Sequence, residues 1–324
     1  MQKFDISSIC NALMDILVKA DDSDIKALEL NKGIMHLVDD GRQKTVSEHF
    51  HGKIDKTELG GSSLNAMRTL AGLGVKTSFA GMVGKDEYGD KIKKRMSDLN
   101  IDARLQTLDD TATGSCFILV TPDGERTMNT NLGASIRFNE SLVPHEVIKN
   151  SRVFHFCGYQ WSSEPQIKAI EAAIETAKSN GCLVSFDVAD PFVVEQNREA
   201  FAKLIEEKAD IVFANQEEAK LLYESDPQSA CDRIATSGAI AVIKLGSEGA
   251  LVGKGKDRFK ISPVATKVED TTAAGDMFAA GFLYGVLKDK SLEESGRIAA
   301  TLASDVISRI GATVSDEALS SVRA

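Results

Sequence analysis

Two rhythms alternate along the chain. Short apolar runs read as buried strands, and stretches with apolar residues three and four apart read as amphipathic helices. Phe4 to Cys10 reads as a first buried strand, ending at Asn11-Ala12-Leu13-Met14-Asp15. From residue 141 the alternation is regular: strand 152–157, helix 164–179, strand 182–187, helix 195–207, strand 210–213, helix 216–224, helix 228–237 and strand 240–245. A short antiparallel pair follows at 249–261, and helices 275–288 and 292–309 close the chain. Strands separated by helices predict a mostly parallel sheet covered on both faces.

The first third breaks this rhythm. Residues 16–58 mix short apolar runs with acidic and Gly-containing turns. Leu59-Gly60-Gly61-Ser62-Ser63-Leu64-Asn65 then opens a helix to Leu73, with Ser62 or Ser63 as its N-cap. Thr77 to Val83 reads as a strand, followed by a charged helix ending near Leu99. Residues 101–107, 114–121 and 125–131 read as three short strands, the last two joined by the turn Thr121-Pro122-Asp123-Gly124. The expectation is one α/β domain over residues 1–324. A small β-sheet lid is built from two excursions, about 12–58 and 101–131.

Length and charge narrow the possible functions. The 324 residues carry a net charge of −10, leaving no basic surplus for neutralising nucleic-acid phosphates. Cys10, Cys116, Cys157, Cys182 and Cys231 are scattered without a C-x-x-C spacing and read as reduced, mostly buried thiols. His49 and His51 fall on one strand face, without a zinc pattern. The start lacks a signal-peptide pattern and no apolar run reaches membrane-spanning length, so a cytoplasmic protein is expected.

The richest stretch for chemistry is Val268 to Leu283, where small residues lead straight into an apolar helix. A helix start with little side-chain bulk offers unpaired amides and a favourable dipole to an anion. Asp276, in the first turn, is either a helix-charge partner or a general base beside a phosphate. Other nucleotide devices are missing. There is no Walker pattern, Gly72-Leu73-Gly74 ends a helix instead of opening one, and the H-R-D, D-F-G and G-x-S-x-G motifs are absent.

Six segments recur in a familiar order: Asn11-x-x-x-Asp15, Gly60-Gly61-Ser62-Ser63-Leu64-Asn65, Gly84-Lys85-Asp86-x-x-Gly89, Asn215-x-x-Glu218, Leu245-Gly246-x-x-Gly249-Ala250 and Asp270-Thr271-Thr272-Ala273-Ala274-Gly275-Asp276. Together they resemble the ribokinase/PfkB family of carbohydrate and nucleoside kinases, from residue 4 to about 315. The resemblance implies a ribokinase-like fold, ATP and Mg2+ as cofactors, and K+ as a further candidate. It implies the amides of Ala273, Ala274 and Gly275 as an anion hole and Asp276 as base. The family's first Gly of G-A-G-D is Ala273 here, tolerable if its φ stays negative.

Further roles follow from the same resemblance. Asp15 takes hydrogen bonds from two sugar hydroxyls, supported by Asn11, with Gly60, Gly61 and Asn65 beside the sugar. Asn215, Lys244, Gly246 and Gly249 belong to the ATP site, and Glu218 organises magnesium through water. Arg126 is either a phosphate ligand or a solvated hairpin residue. Asp270, Thr272, Val306, Gly311 and Ser315 resemble the segments that hold a monovalent cation through backbone carbonyls.

For the acceptor, the Gly-Gly-Ser-x-x-Asn form and Asn131-Leu132-Gly133-Ala134 look most like the adenosine-kinase branch. A nucleoside base needs an apolar wall, for which Met14, Met35, Leu37, Phe117, Tyr159 and Trp161 are candidates. The resemblance implies phosphorylation of a nucleoside 5′-hydroxyl, adenosine first. A sugar kinase acting on ribose, fructose or a sugar acid and a catalytically silent regulator are the alternatives. The implied partners are small molecules and ATP, with no nucleic acid or membrane, in a monomer or homodimer.

Overall fold

The computed structural model describes residues 3–324. Strand β1 (Phe4–Ile9) hands the chain to β2 (Leu13–Lys19), and the two belong to different sheets. Helices α1 (Asp22–Ala27) and α2 (Asp40–His49) flank the short β3 (Met35–Leu37), and β4 (Ile54–Gly60) leads into α3 (Ser62–Gly72). Then come β5 (Thr77–Gly84), α4 (Glu87–Asp98), β6 (Asp102–Leu108), β7 (Thr113–Val120) and β8 (Arg126–Gly133). The regular part holds α5 (His145–Lys149), β9 (Ser151–Cys157), α6 (Glu164–Ser179), β10 (Leu183–Asp187), α7 (Pro191–Glu207), β11 (Ile211–Asn215), α8 (Gln216–Tyr223), α9 (Pro227–Thr236) and β12 (Ile240–Lys244). The hairpin β13 (Ala250–Lys254) and β14 (Asp257–Ile261) precedes α10 (Ala274–Leu287), α11 (Leu292–Ile307) and α12 (Asp316–Arg323).

Among the described residues the large sheet has nine strands in the order β14-β13-β12-β11-β10-β9-β1-β5-β6. It is parallel from β12 to β6, and antiparallel at the β12–β13–β14 edge. Alternation along β11 shows why both faces are apolar. Ile211 and Phe213 join the core under α3, α10 and α11, while Val212 and Ala214 join the core under α6, α7 and α9. The small sheet has the order β3-β8-β7-β2-β4.

Two local expectations change. The strand expected at 101–107 in the small sheet is β6, the parallel edge strand of the large one. It follows a helix, and a strand–helix–strand unit packs its second strand back beside the first. His49 does not lie on a strand with His51: it ends α2, its Nε2 2.7 Å from Asp24 Oδ1.

The faces of the small sheet set the geometry of everything that follows. Met14, Ser115 and Phe117 share one face, covered by α2, whose Gln43 Nε2 donates to Ser115 Oγ (2.8 Å). Asp15, paired with Cys116, looks the other way, with Leu17 and Ile118. In-register pairing puts Met128 and Thr130 on that same face, and through them Met35 and Leu37. Met14 and Phe117 therefore pack into the core away from Asp15 and line no wall beside it.

Helix α10 is anchored by Phe282, fully buried and edge-on to Phe213 with ring centroids 5.7 Å apart. Phe282→Ala is expected to cost about 3–5 kcal/mol, read as a fall in the urea midpoint with unchanged m-value.

Candidate active site

The parallel strands β1, β9, β10, β11 and β12 end at one edge, where open α/β sheets place their ligand crevices. The start of α10 points its first-turn amides there. Ala273 is the N-cap with φ 58° and ψ 10°, a left-handed conformation, so the expectation of a negative φ fails. The tight turn requires it: the Ala274 N–H reaches back to the Thr271 carbonyl at 3.3 Å. That leaves the amides of Gly275 and Asp276 heading the helix without an intrahelical carbonyl. Lys244 stands beside them; a Cβ on Gly275 would lie 3.1 Å from its Nζ.

Asp276 is gripped from α3. Ser62 Oγ donates to Asp276 Oδ1 (2.7 Å) and Asn65 Nδ2 to Oδ2 (2.9 Å). Burial raises the Asp276 pKa above its ordinary range, against these two hydrogen bonds. Neither Ser62 nor Ser63 caps α3, whose N-cap is Gly61 at φ 101°. Ser62 had no sequence signal separating a cap from a carboxylate ligand. A Cβ on Gly61 would fall 2.2 Å from the Asn11 carbonyl oxygen, and one on Gly60 would fall 2.1 Å from Asp15 Oδ1. These two glycines let Asp15, Asn11 and the start of α3 converge. Asn11 does not bond Asp15; its Oδ1 accepts from Gln166 Nε2 (2.7 Å), fixing the crossing between sheets.

A second group of charges surrounds Lys244. Its Nζ lies 3.4 Å from both oxygens of buried Asp187, at the end of β10. Burial alone would lower the Lys244 pKa, but the carboxylates of Asp187, Glu218 and Asp276 raise it. Asp187 was missed in the sequence, although an Asp closing an apolar strand at the carboxyl edge is its signal. Glu218 and Asn215 form a reciprocal cap: Glu218 takes the Asn215 N–H (2.7 Å) and Asn215 Oδ1 takes the Glu218 N–H (2.9 Å). Burial pushes the Glu218 pKa to about 7. Gly246 and Gly249 shape the turn after β12, where the Leu245 N–H donates to the Gly249 carbonyl (2.8 Å).

The chain therefore offers carboxylates at Asp187 and Glu218 beside a helix start that attracts phosphate. Among the described residues no cluster of three or more ligating side chains forms a metal cage. Magnesium keeps several waters and is shared with nucleotide phosphates, so it needs few protein ligands.

The side chains among the monovalent-cation candidates have partners within the chain. Asp270 takes the N–H groups of Thr272 (2.7 Å) and Gly311 (2.8 Å). The guanidinium of Arg126, from β8, bridges the Asp270 carboxylate and the Thr272 hydroxyl. Ser315 is spent on Asp305, and the Val306 carbonyl accepts the Arg309 N–H (3.4 Å). Arg126 thus supplies the charge that balances the Asp270 side chain.

Trp161 is half-buried just after β9. Its ring packs against Phe156, Phe186 and Phe201 at 5.2–6.2 Å, an aromatic core cluster. Tyr159 Oη donates to Asp190 Oδ2 (3.2 Å).

The profile described as "pfkB family carbohydrate kinase" matches residues 35–319. The chain belongs to this family. It is a sugar or nucleoside kinase, a phosphotransferase acting on a hydroxyl group, and kinases of this family use ATP and Mg2+. The "Uncharacterized sugar kinase" of Archaeoglobus fulgidus is 29% identical over 245 residues, covering 75% of this chain and 96% of that one. A probable sugar kinase from Rhizobium etli CFN 42 superposes with a TM-score of 0.93 at 32% identity, covering 100% of this kinase and 98% of that chain. Adenosine kinase from Sinorhizobium meliloti gives 0.91 at 32% identity, covering 99% of each. The fold is thus ribokinase-like, a large mixed sheet with helices on both faces and a smaller second sheet. No helix among the described residues is long and apolar enough to cross a membrane.

Two measurements check this geometry. Ala273→Gly relieves a left-handed alanine of about 1–2 kcal/mol while adding unfolded-state freedom, so its stability should match or exceed wild type. A loss above about 1 kcal/mol contradicts the left-handed cap. Burial pushes the Asp15 pKa from 3.8 to about 7, with Glu58 and Asp276 adding to the rise and Arg68 opposing it. The folded state then binds a proton more tightly than the unfolded one. The contribution of Asp15 to stability is full below its unfolded pKa and falls as pH rises towards 7. Asp15→Asn should flatten that slope in denaturant titrations at successive pH values.

Proposed function

We propose that the kinase transfers the γ-phosphoryl group of ATP to the 5′-hydroxyl of a nucleoside, adenosine first. The observation that carries the reading is the shared face of the small sheet. Asp15, able to take two hydroxyls, lies on the same face as half-buried Met35 and exposed Leu37. A carboxylate for the ribose and, across the same face on the edge strand β3, apolar side chains for a base suit a nucleoside, whereas a free sugar needs no such wall. Similarity to the adenosine kinase of Sinorhizobium meliloti supports it. The names of the Archaeoglobus and Rhizobium relatives favour the alternative, a sugar acceptor at the same carboxylates.

In this reading the small sheet is a lid that closes over the acceptor and excludes water. Asp15, Gly60, Gly61 and Asn65 place the sugar. Asp276 accepts the hydroxyl proton as that oxygen attacks the γ-phosphorus, its raised basicity aiding the transfer. The amides of Gly275 and Asp276 and the Lys244 ammonium stabilise charge on the moving phosphoryl group. Glu218, through water, and the nucleotide phosphates would hold magnesium, which would supply charge neutralisation there.

The test is ADP release with adenosine, inosine, guanosine, ribose and fructose. Adenosine is expected to give the highest kcat/KM. Faster turnover of a free sugar would overturn the nucleoside assignment. Asp276→Asn should lose turnover by at least about 10²-fold while keeping acceptor binding in calorimetry. Retained turnover would refute Asp276 as base.

A further inference from the structure

Cys10 and Cys157 meet beneath the catalytic edge. Strands β1 and β9 are parallel neighbours, with Ser8 opposite His155. Two residues further on, that register sets Cys10 beside Cys157, and their sulfurs are 3.4 Å apart. Neighbouring strands lie about 4.7–4.9 Å apart, inside the Cα separation that a disulfide spans. Both side chains are buried in the same apolar layer under α3. The pair thus needs only a short approach of two sulfurs, with no rearrangement of the sheet.

The surroundings are not those of inert core thiols. Ser63 Oγ, on the first turn of α3, is fully buried without a conventional hydrogen-bond partner among the described residues. The Ser63 side chain and amide favour charge on Cys10, and the side chain does so on Cys157 as well. Gln160 Nε2 points at Cys10 Sγ from 3.8 Å. The contact with Cys157, and the nearby Ser63 dipoles, lower the Cys10 pKa against the opposing effect of burial. Elsewhere burial pushes Cys182 up to about 12 and Cys231 up to about 11. Among the five thiols only Cys10 has its pKa lowered, and a second thiol lies in contact with it.

We infer that Cys10 and Cys157 form a reversible disulfide that reports on hydroperoxide and lowers phosphotransfer. The Cys10 thiolate attacks one oxygen of hydrogen peroxide. The O–O bond breaks and hydroxide leaves, becoming water with a proton from solvent. The Cys157 thiol then attacks the sulfenic sulfur, the S–O bond breaks, and a second water leaves. Two thiols lose two electrons, and the peroxide is reduced by them. The link to activity is Ser63. Its neighbour Ser62 holds Asp276, and Asn65 holds the other oxygen. Closing the sulfurs from 3.4 Å to the bonded distance of about 2.05 Å withdraws the group that Ser63 faces and shifts the start of α3. Cys10 also precedes Asn11, whose carbonyl lies against Gly61.

The test treats the full chain with hydrogen peroxide, alkylates free thiols and maps a non-reducing digest by mass spectrometry. The expected result is a Cys10–Cys157 linked peptide, with Cys116, Cys182 and Cys231 alkylated. Turnover should be lost in parallel and restored by dithiothreitol, while Cys10→Ser and Cys157→Ser keep their untreated turnover and resist peroxide. The linkage readout needs no acceptor, so its failure is separate from failure of the adenosine reading; turnover is followed with whichever acceptor the kinase uses. Should a serine variant not fold, the linked peptide and its reversal in wild type decide. Alkylated Cys10 after treatment, a linked peptide with unchanged turnover, or equal peroxide sensitivity in Cys157→Ser would each overturn the inference.

Discussion

The site depends on keeping carboxylates charged where water is scarce. Asp15, Asp187, Glu218 and Asp276 converge at one edge of the sheet, and burial acts to raise the pKa of Asp15, Glu218 and Asp276. Left alone, such groups neutralise by taking protons. Three kinds of partner hold them. The hydroxyl and amide of Ser62 and Asn65 grip Asp276, the cap residue Asn215 grips Glu218, and the Lys244 ammonium faces Asp187. The same residual tension makes Asp276 more basic than a solvated carboxylate, so the cost of burial serves proton transfer.

The second constraint is topological. The chain leaves the large sheet after β1, builds β2, and returns through β4 into α3. Asp15 and the start of α3 are therefore brought together at the two ends of one excursion, at glycines too crowded for a Cβ. Because side chains alternate along each strand, a single face of the small sheet carries Asp15, Met35 and Leu37 while Met14 and Phe117 fill the core beneath α2. Arg126, from β8, closes the connection by bridging to Asp270 just ahead of α10.

Much of this was legible in the chain itself. Hydrophobic periodicity marked the parallel core, the helix start at Gly275 and the hairpin at 249–261, since burial on two faces leaves a strong local signal. The glycines at 60–61, Asp15, Asn215, Glu218 and Asp276 stood out because each sits at a strand or helix end, where residue type and backbone conformation are coupled. What the sequence determined was thus the order of elements and the residues at their ends. Tertiary structure decided the rest. It moved β6 into the large sheet, turned Met14 and Phe117 away from the site and drew Trp161 into an aromatic cluster. It also set Ala273 left-handed, joined Arg126 to Asp270, and laid Cys10 against Cys157. Each of these rests on register, pairing or packing between residues far apart in the chain, and local pattern carries no information about distant partners.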